Sequence, residues 1–422
     1  MEYKKINYND YTVHLLKTDK FKSIYISLTL MNEYKKESLT RNFILRKLLT
    51  TSSKKLSNES EVTKKVCDLY NSGIVISNTI CNNVITTNFD MEVLDDKYTE
   101  DGLLNKALEY YFDTIFYPNI VNDEFEENNY NLVLKSVNNY YDTIKENKNR
   151  YAYERAFSLL DEEYLRNSEN GSREDLEGIT RKNMVTYYNE LLLNANANIF
   201  VIGSFEEKEL LDIINNNVNG KLHKNNNMYI DGTFYKNNKL KEKEEREDNN
   251  QSILIMIYKI INMNLREWTV ILPVFNRIFG IGNNSKLFKN IREENSLCYD
   301  IRSNCLKNES ILTVQSGISY NNKNKVIEFV KKQLNDIQNG LISDSEFDEA
   351  IKFRDKTLKQ FEDYNDSILY IKQGEILYNS DNLEQRKNNL KTVKKEEIIE
   401  LSKKLDLSVI YMLKGDNEDG EN

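Results

Sequence analysis

Gly280-Ile-Gly-Asn-Asn-Ser-Lys-Leu-Phe-Lys-Asn-Ile-Arg-Glu-Glu-Asn-Ser-Leu-Cys-Tyr299 carries more information than any other stretch of the chain. Gly280 and Gly282 let the turn that opens it adopt positive φ. Arg292 and Tyr299 stand seven residues apart. An arginine fork can hold a peptide carbonyl or carboxylate, and a tyrosine hydroxyl can donate to an oxyanion. A bare R-x6-Y describes a surface arginine and a core tyrosine equally well, so the flanking residues decide its meaning.

Outward from this stretch, composition sets limits. At 422 residues the chain is long enough for two or three domains, each with its own core. Asp and Glu outnumber Lys and Arg by 67 to 58, a net charge of −9. No basic face is expected, and nucleic acid is excluded as a partner. The polar start, Met1-Glu-Tyr-Lys-Lys-Ile-Asn-Tyr8, has no apolar signal core, and residues 253–261, the most apolar run, are too few to span a bilayer. A cytoplasmic protein is expected, away from membranes. Its cysteines, Cys67, Cys81, Cys298 and Cys305, form no C-x-x-C and are expected to stay reduced.

The chain reads as a repeat. A helical pattern from Thr180 leads to a strand ending at Gly203, and one from Thr392 leads to a strand ending at Gly415; both offsets are 212. Ile24, Ile26, Leu28 and Leu30 alternate with polar residues, as do Phe89, Met91 and Val93, which predicts half-buried strands. Between them residues 39–49 read as a helix. Val133, Val137, Tyr140 and Ile144 mark one face of another. The second half repeats the order. Residues 253–258 and 311–316 are strands, residues 268–279 form an apolar helix interrupted early by Pro273, and residues 326–337 form a further helix. Ser343-Asp-Ser-Glu346 is a capping box opening a helix with Phe347, Ala350, Ile351 and Leu358 inward. Between the halves, residues 216–250 are too polar to fold as a core. They read as a linker with a weak strand at 227–234, and the charged run 239–248 fits a solvated helix as well.

Val274-Phe-Asn-Arg-Ile-Phe-Gly-Ile-Gly282, Ser285 to Tyr299, and Val314-Gln-Ser-Gly-Ile318 carry a family resemblance. They resemble the C-terminal domain of the insulinase-like peptidases (pitrilysin-type, with an inverted zinc motif), in which a glycine-rich turn precedes S-x-L-F-x-x-x-R-E-x-x-S-L-x-Y. Weaker similarity covers nearly the whole chain, including Leu69-Tyr-Asn-Ser-Gly73 and residues 112–118. Within the family the chain is most similar to a zinc-less bacterial subunit whose name refers to elongation factor P modification. The resemblance implies an α+β fold of two homologous α/β sandwich domains of the LuxS/metallopeptidase-like type. Each would be an antiparallel-rich sheet covered by helices, the two arranged as a clam around a peptide chamber. The expected boundaries are 1–215 for the first domain, 216–240 for a linker and 241–422 for the second.

In that family, catalysis uses H-x-x-E-H on an early helix plus a later glutamate, with zinc held by the histidines and water activated by the intervening glutamate. Here the only histidines, His14 and His223, are 209 residues apart. The helix at 39–49 offers no His and no Glu, and its Arg41, Arg46 and Lys47 would repel a divalent cation. Lys135 and Ser136 stand near the expected place of the later ligand. No metal, no cofactor and no catalytic residue of its own are therefore expected. His14 reads as an ordinary edge-strand residue, and Cys298 has no histidine to make it a nucleophile. The resemblance implies that Arg292 and Tyr299 bind substrate and oxyanion in trans, and that Gly280, Gly282 and Ser285 line the chamber as a turn; a purely structural turn competes with that reading.

Two functions follow from the resemblance. The chain is a non-catalytic subunit paired with a homologous zinc-containing chain, cleaving a peptide or unfolded protein together. Alternatively it is a scaffold or peptide-binding protein with no part in turnover.

Overall fold

A computed structural model describes residues 2–223, 235, 239–249 and 251–415. The strand expected at 227–234 lies outside the described residues. The chain divides into two compact units, Met1–Asp142 with Asn167–Ile230, and Thr143–Arg166 with Asp231–Asn422.

The first unit begins β1 (Glu2–Asn7), β2 (Thr12–Lys17), β3 (Ser23–Glu33), α1 (Lys36–Thr51), α2 (Glu59–Asp68), β4 (Ile74–Cys81) and β5 (Val84–Leu94). It continues with α3 (Leu103–Phe116), a small hairpin of β6 (Ile120–Val121) and β7 (Glu124–Phe125), and α4 (Glu127–Thr143). Helices α5 (Lys148–Phe157) and α6 (Glu163–Arg166) belong to the second unit. The chain then returns with α7 (Arg181–Leu193), β8 (Asn196–Gly203) and α8 (Glu207–Val218). The six-stranded sheet runs β1-β2-β8-β3-β5-β4, with β2 and β8 parallel and every other pair antiparallel. Ile24, Ile26, Leu28 and Leu30 of β3 pack in one core with Leu45 and Leu48 of α1, Tyr111 of α3 and Leu191 of α7. The alternation read from the sequence thus faces the helical layer. The Tyr111 hydroxyl donates to Phe89 O and accepts from Leu28 N, both at 2.7 Å, so its burial leaves no polar atom unpaired.

The second unit has β9 (Lys241–Glu247), β10 (Ser252–Ile260), α9 (Leu272–Phe279), β11 (Cys298–Leu306) and β12 (Ile311–Ile318). It ends with α10 (Lys323–Gln338), α11 (Asp344–Gln360), α12 (Asn365–Leu377), α13 (Leu383–Leu390), α14 (Lys395–Lys403) and β13 (Leu405–Gly415). Its five-stranded sheet, counted from β9, runs β9-β13-β10-β12-β11, with β9 and β13 parallel. This is the order β2-β8-β3-β5-β4 of the first unit, with the parallel pair in the same place. The two units are one α+β plan used twice, with β1 added to the first. Helix α14 starts at Lys395, later than Thr392 suggests, because Thr392 Oγ1 donates to Asn389 O (2.9 Å) and closes the turn after α13.

Three local features explain the sequence's stranger passages. Strand β10 is buried along its whole length: Leu254, Met256 and Tyr258 face the helices, while Ile253, Ile255 and Ile257 pack against Ala152, Ala156 and Phe157 of α5. A strand covered on both faces reads as a continuous apolar run. Its Lys259, 1% exposed, pairs with Glu162 at 2.8 Å beneath the Tyr235 ring. The charged run 239–248 is neither linker nor helix over residues 241–247; it is the edge strand β9. Charge there keeps an open sheet edge from pairing with another chain. Arg155 beside Glu245 holds that carboxyl well below the usual carboxylate range, and Lys323 meets Glu244 at 2.8 Å. At Pro273 the helix is not broken. Pro273 has no N–H for Thr269 O, and the turn ahead of it, Glu267–Ile271, widens so that Leu272 N donates to Glu267 O.

Among the described residues no helix is long and apolar enough to cross a membrane.

Asp90 on β5 gives a pH prediction. Its Oδ1 is buried without a partner among the described residues, and burial pushes its pKa up from 3.8 to about 6. The unfolded chain ionises first, so stability falls as pH rises through this window. Asp90→Asn is expected to stabilise by roughly 2–3 kcal/mol above about pH 7, with the gain vanishing near pH 4. Urea unfolding at both pH values checks it; an equal gain at both would remove the ionisation argument.

Candidate functional site

Helix α1 buries Leu39, Ile44, Leu45, Leu48 and Leu49 against the sheet, which leaves a polar stripe. Asn42 and Arg46 stand four apart on it, one helical turn. Asn42 donates to Thr87 Oγ1 at 3.0 Å. Its Oδ1 is buried without a partner among the described residues, and the residue borders a cleft of about 330 Å³ with Asn32, Ser38, Tyr187 and Glu190. Arg46 donates to Asn170 Oδ1 at 2.6 Å and lies over the Phe43 ring. Burial pushes its pKa down, partly countered by Glu169. Asn170 is fixed in turn: its Nδ2 donates to Tyr140 OH (2.9 Å) and its carbonyl accepts from Tyr141 OH (2.6 Å). Next to this network Lys47 donates to Ser136 Oγ of α4 at 3.2 Å. Helices α1 and α4 thus meet here through a cation and a hydroxyl. Among the described residues no three His, Cys, Asp or Glu side chains gather in a way that could hold a metal ion.

Arg46→Ala strips Asn170 of its charged partner and is expected to cost about 2 kcal/mol. Chemical denaturation of the single variant measures it; no change would show that Asn170 finds other partners.

His14 is corrected from an edge residue to a core one. Strand β1 lies outside β2, and His14 is fully buried. Its ring stacks on Phe200, Nε2 donates to Asn198 Oδ1 (3.0 Å), and Nδ1 lies 3.0 Å from the Tyr3 hydroxyl. His223 is exposed. The two histidines are not brought together into a shared cluster.

The segment 280–299 is held more firmly than its glycines suggest. A Cβ on Gly280 would meet Ser303 Oγ at 2.2 Å and Leu287 Cδ1 at 2.9 Å, so this glycine serves close packing. Gly282 has φ +83°, and a Cβ there would meet Arg277 Nη1 at 2.1 Å. Arg277 staples the turn: it donates to Ile281 O (2.9 Å) and Glu349 Oε1 (2.7 Å) and stacks on Phe353. Ser285 is fully buried, and its hydroxyl donates to Gly282 O at 2.8 Å. Gly280, Gly282 and Ser285 therefore form one stapled turn.

A wide helical turn follows at Phe288–Glu293, with Glu294 N donating to Lys289 O. Leu287 and Ile291 are buried beneath it, which turns Arg292 to the surface. Its guanidinium lies 4.7 Å over the Phe288 ring. After Ser296, at φ +50°, the chain enters β11. Cys298 pairs with Ile318 and Asp300 with Gly317, which leaves Tyr299 as the extra residue of a β-bulge, 65% exposed. Asp300 Oδ1 accepts from Gly317 N at 3.0 Å, and Ser316 Oγ donates to Asp300 O at 2.7 Å. A Cβ on Gly317 would meet Asp300 Oδ1 at 2.6 Å, so the glycine after Ser316 is what the bulge requires. Neither Arg292 nor Tyr299 makes a side-chain hydrogen bond or ion pair among the described residues. Burial pushes the Cys298 thiol pKa up, away from a thiolate nucleophile. Sequence reasoning missed Arg277 and Asp300, whose contacts are long-range and leave no local pattern.

Residues 178–353 match the family model described as Peptidase M16 inactive domain. The chain is 24% identical to the "Probable inactive metalloprotease YmfF" of Bacillus subtilis (strain 168), across 97% of each protein. A conserved protein from Enterococcus faecalis V583 shares the fold with a TM-score of 0.89 at 24% identity, over 100% of this chain and 99% of that one. A peptidase M16 inactive domain from Pseudomonas fluorescens does so with a TM-score of 0.79 at 12% identity, over 98% of each. Over residues 178–353 the chain is thus similar to the insulinase-like peptidase family M16, and its sequence lacks the H-x-x-E-H zinc motif.

Proposed function

We propose that this chain is the substrate-holding subunit of a two-chain peptidase, supplying Arg292 and Tyr299 to the zinc site of a homologous partner. The observation that carries this is the contrast inside one segment. The turn before them is stapled and the helical turn between is seated on buried Leu287 and Ile291, while Arg292 and Tyr299 project outward with no side-chain hydrogen bond or ion pair among the described residues. Wide helical turns and β-bulges are costly local distortions that recur where a side chain must be aimed. Arg292 would grip a carbonyl or carboxylate of the peptide, and Tyr299 would donate to the oxyanion formed next to the partner's metal. A polar, cation-bearing α1 fits a chain that leaves metal binding to its partner.

The test is co-expression with a homologue that carries H-x-x-E-H, followed by size-exclusion chromatography and peptide cleavage. A stable pair that cleaves only when both chains are present supports the reading. Absence of a complex sinks the two-chain idea. A complex whose cleavage ignores changes at 292 and 299 leaves the chain as a scaffold.

A further inference from the structure

The chain contains three Asn-Gly pairs, Asn170-Gly171, Asn219-Gly220 and Asn339-Gly340. A glycine after asparagine leaves its own nitrogen open to the asparagine side chain, because no Cβ stands in the way. The local chemistry is the same at all three, so the fold decides which of them can use it. At Asn170 both ends of the side-chain amide are bound: Oδ1 accepts from Arg46 Nη2 (2.6 Å) and Nδ2 donates to Tyr140 OH (2.9 Å). Gly171 N donates to Ser168 O (2.8 Å), and the asparagine is buried. At Asn339 the side chain is exposed, but the backbone is closed. Gly340 N donates to Ile337 O (2.9 Å), Leu341 N to Asp336 O (2.9 Å) and Ile342 N to Gly340 O (2.8 Å), a hydrogen-bonded turn that ends α10.

Asn219-Gly220 has none of these holds. Helix α8 ends at Val218, and Asn219 leaves helical geometry with φ −56° and ψ 126°. Its N–H donates to Asn215 O and that of Lys221 to Val218 O, both at 3.0 Å, so the bonds pass over Gly220. Gly220 N and the Asn219 side-chain amide make no hydrogen bond among the described residues. Gly220 has φ +73°, and nothing lies within 4 Å of where a Cβ would stand. Both residues are exposed. The peptide plane between them turns without breaking a contact, as at a fraying helix end, which brings the glycine nitrogen within reach of the side-chain carbonyl carbon.

We propose that Asn219 is a site of spontaneous deamidation, a covalent modification that this fold permits at one Asn-Gly pair and slows at the other two. Gly220 N gives up its proton to solvent base and attacks Asn219 Cγ. The new C–N bond closes a cyclic imide, and the side-chain nitrogen leaves as ammonia. Water opens the imide at either carbonyl, which leaves aspartate or isoaspartate at 219. No oxidant, metal or enzyme enters the balance. The change places a carboxylate at the C-terminal end of α8, where the helix dipole disfavours negative charge, so the last turn of α8 loosens as the protein ages. The site is independent of Arg292, Tyr299 and the role proposed for them.

Peptide mapping of the full chain by mass spectrometry, after incubation of the native protein in mildly alkaline buffer, tests it. The peptide carrying Asn219 is expected to gain one mass unit and to split into two chromatographic peaks, for aspartate and isoaspartate. Modification at Asn339 and Asn170 is expected to be slower by about tenfold or more, since hydrogen bonds must open there first. Unfolding in urea removes these holds, and the three sites are then expected to react within about threefold of one another. Gly220→Ala sets a Cβ beside the attacking nitrogen and is expected to slow the reaction at 219 about tenfold or more, with the rate at 339 unchanged. No mass gain at 219, a native rate at 339 or 170 equal to that at 219, or a contrast that persists in urea overturns the proposal.

Discussion

If the chain holds substrate for a zinc-bearing partner, Tyr299→Phe in that complex is expected to lower kcat by about 100-fold, with KM and the melting temperature near the parent's. A single lost oxyanion donor typically costs about 10²–10³ in kcat. The donor acts on charge that exists only in the transition state, so ground-state binding is spared. Arg292→Ala behaves differently. A guanidinium that grips the peptide contributes to both states, so KM rises and kcat/KM falls by about 30-fold or more, from the roughly 2–3 kcal/mol of a charge-assisted pair. Arg292→Lys recovers part of the loss at most, since an ammonium lacks the planar fork. The thermal readout separates this from damage to the fold. Both side chains are exposed and unbonded among the described residues, so truncating them removes little packing. Full activity in both variants would end the substrate-holding reading.

The largest loss of stability is expected at Gly171. Its φ is +68°, and a Cβ there would stand 1.9 Å from Thr40 Oγ1, 2.5 Å from Thr40 N and 2.7 Å from Thr40 Cα. Two of these atoms are backbone of α1 and cannot swing aside. The left-handed conformation costs alanine about 1–2 kcal/mol and forced overpacking about 1–3. Gly171→Ala is therefore expected to lose about 2–5 kcal/mol, a large share of a domain's roughly 5–15. The loop it displaces also carries Asn170 and Ser172, whose N–H donates to Thr40 Oγ1 at 3.1 Å, so the Arg46 network goes with it. Gly178 is the control. It too has positive φ, at +81°, but nothing lies within 4 Å of its Cβ position, so Gly178→Ala should pay only the conformational term. Equal urea midpoints for the two variants would refute the clash.

What could be read from the chain was what local pattern encodes. The alternation at Ile24 to Leu30 and the capping box at Ser343 stand in the structure as β3 and the start of α11, with both reciprocal bonds of the box formed. The duplicated plan was visible in two helix-to-strand endings because each unit ends its sheet the same way. What local pattern does not encode went unread. The Lys- and Glu-rich run 241–247 has no apolar face, and only its pairing with β13 and its ion pairs to distant residues make it a strand. His14 looks like an edge residue until β1 is laid outside it. At the site, the arginine, tyrosine and glycines were legible from their spacing. The staple by Arg277 and Glu349 and the bulge made by Asp300 and Gly317 were not, since each joins residues far apart in sequence.

The arginine at position 46 has a consequence for any metal site engineered onto this helix. On an idle polar stripe, histidine ligands could be introduced one at a time. Here the stripe is in use: Arg46 anchors Asn170, and Asn170 anchors Tyr140 and Tyr141. A histidine placed at 46 removes the anchor before any ligand set exists to offset the loss, so the single variant is expected to be less stable with nothing gained. Ligands would have to arrive together with a new partner for Asn170.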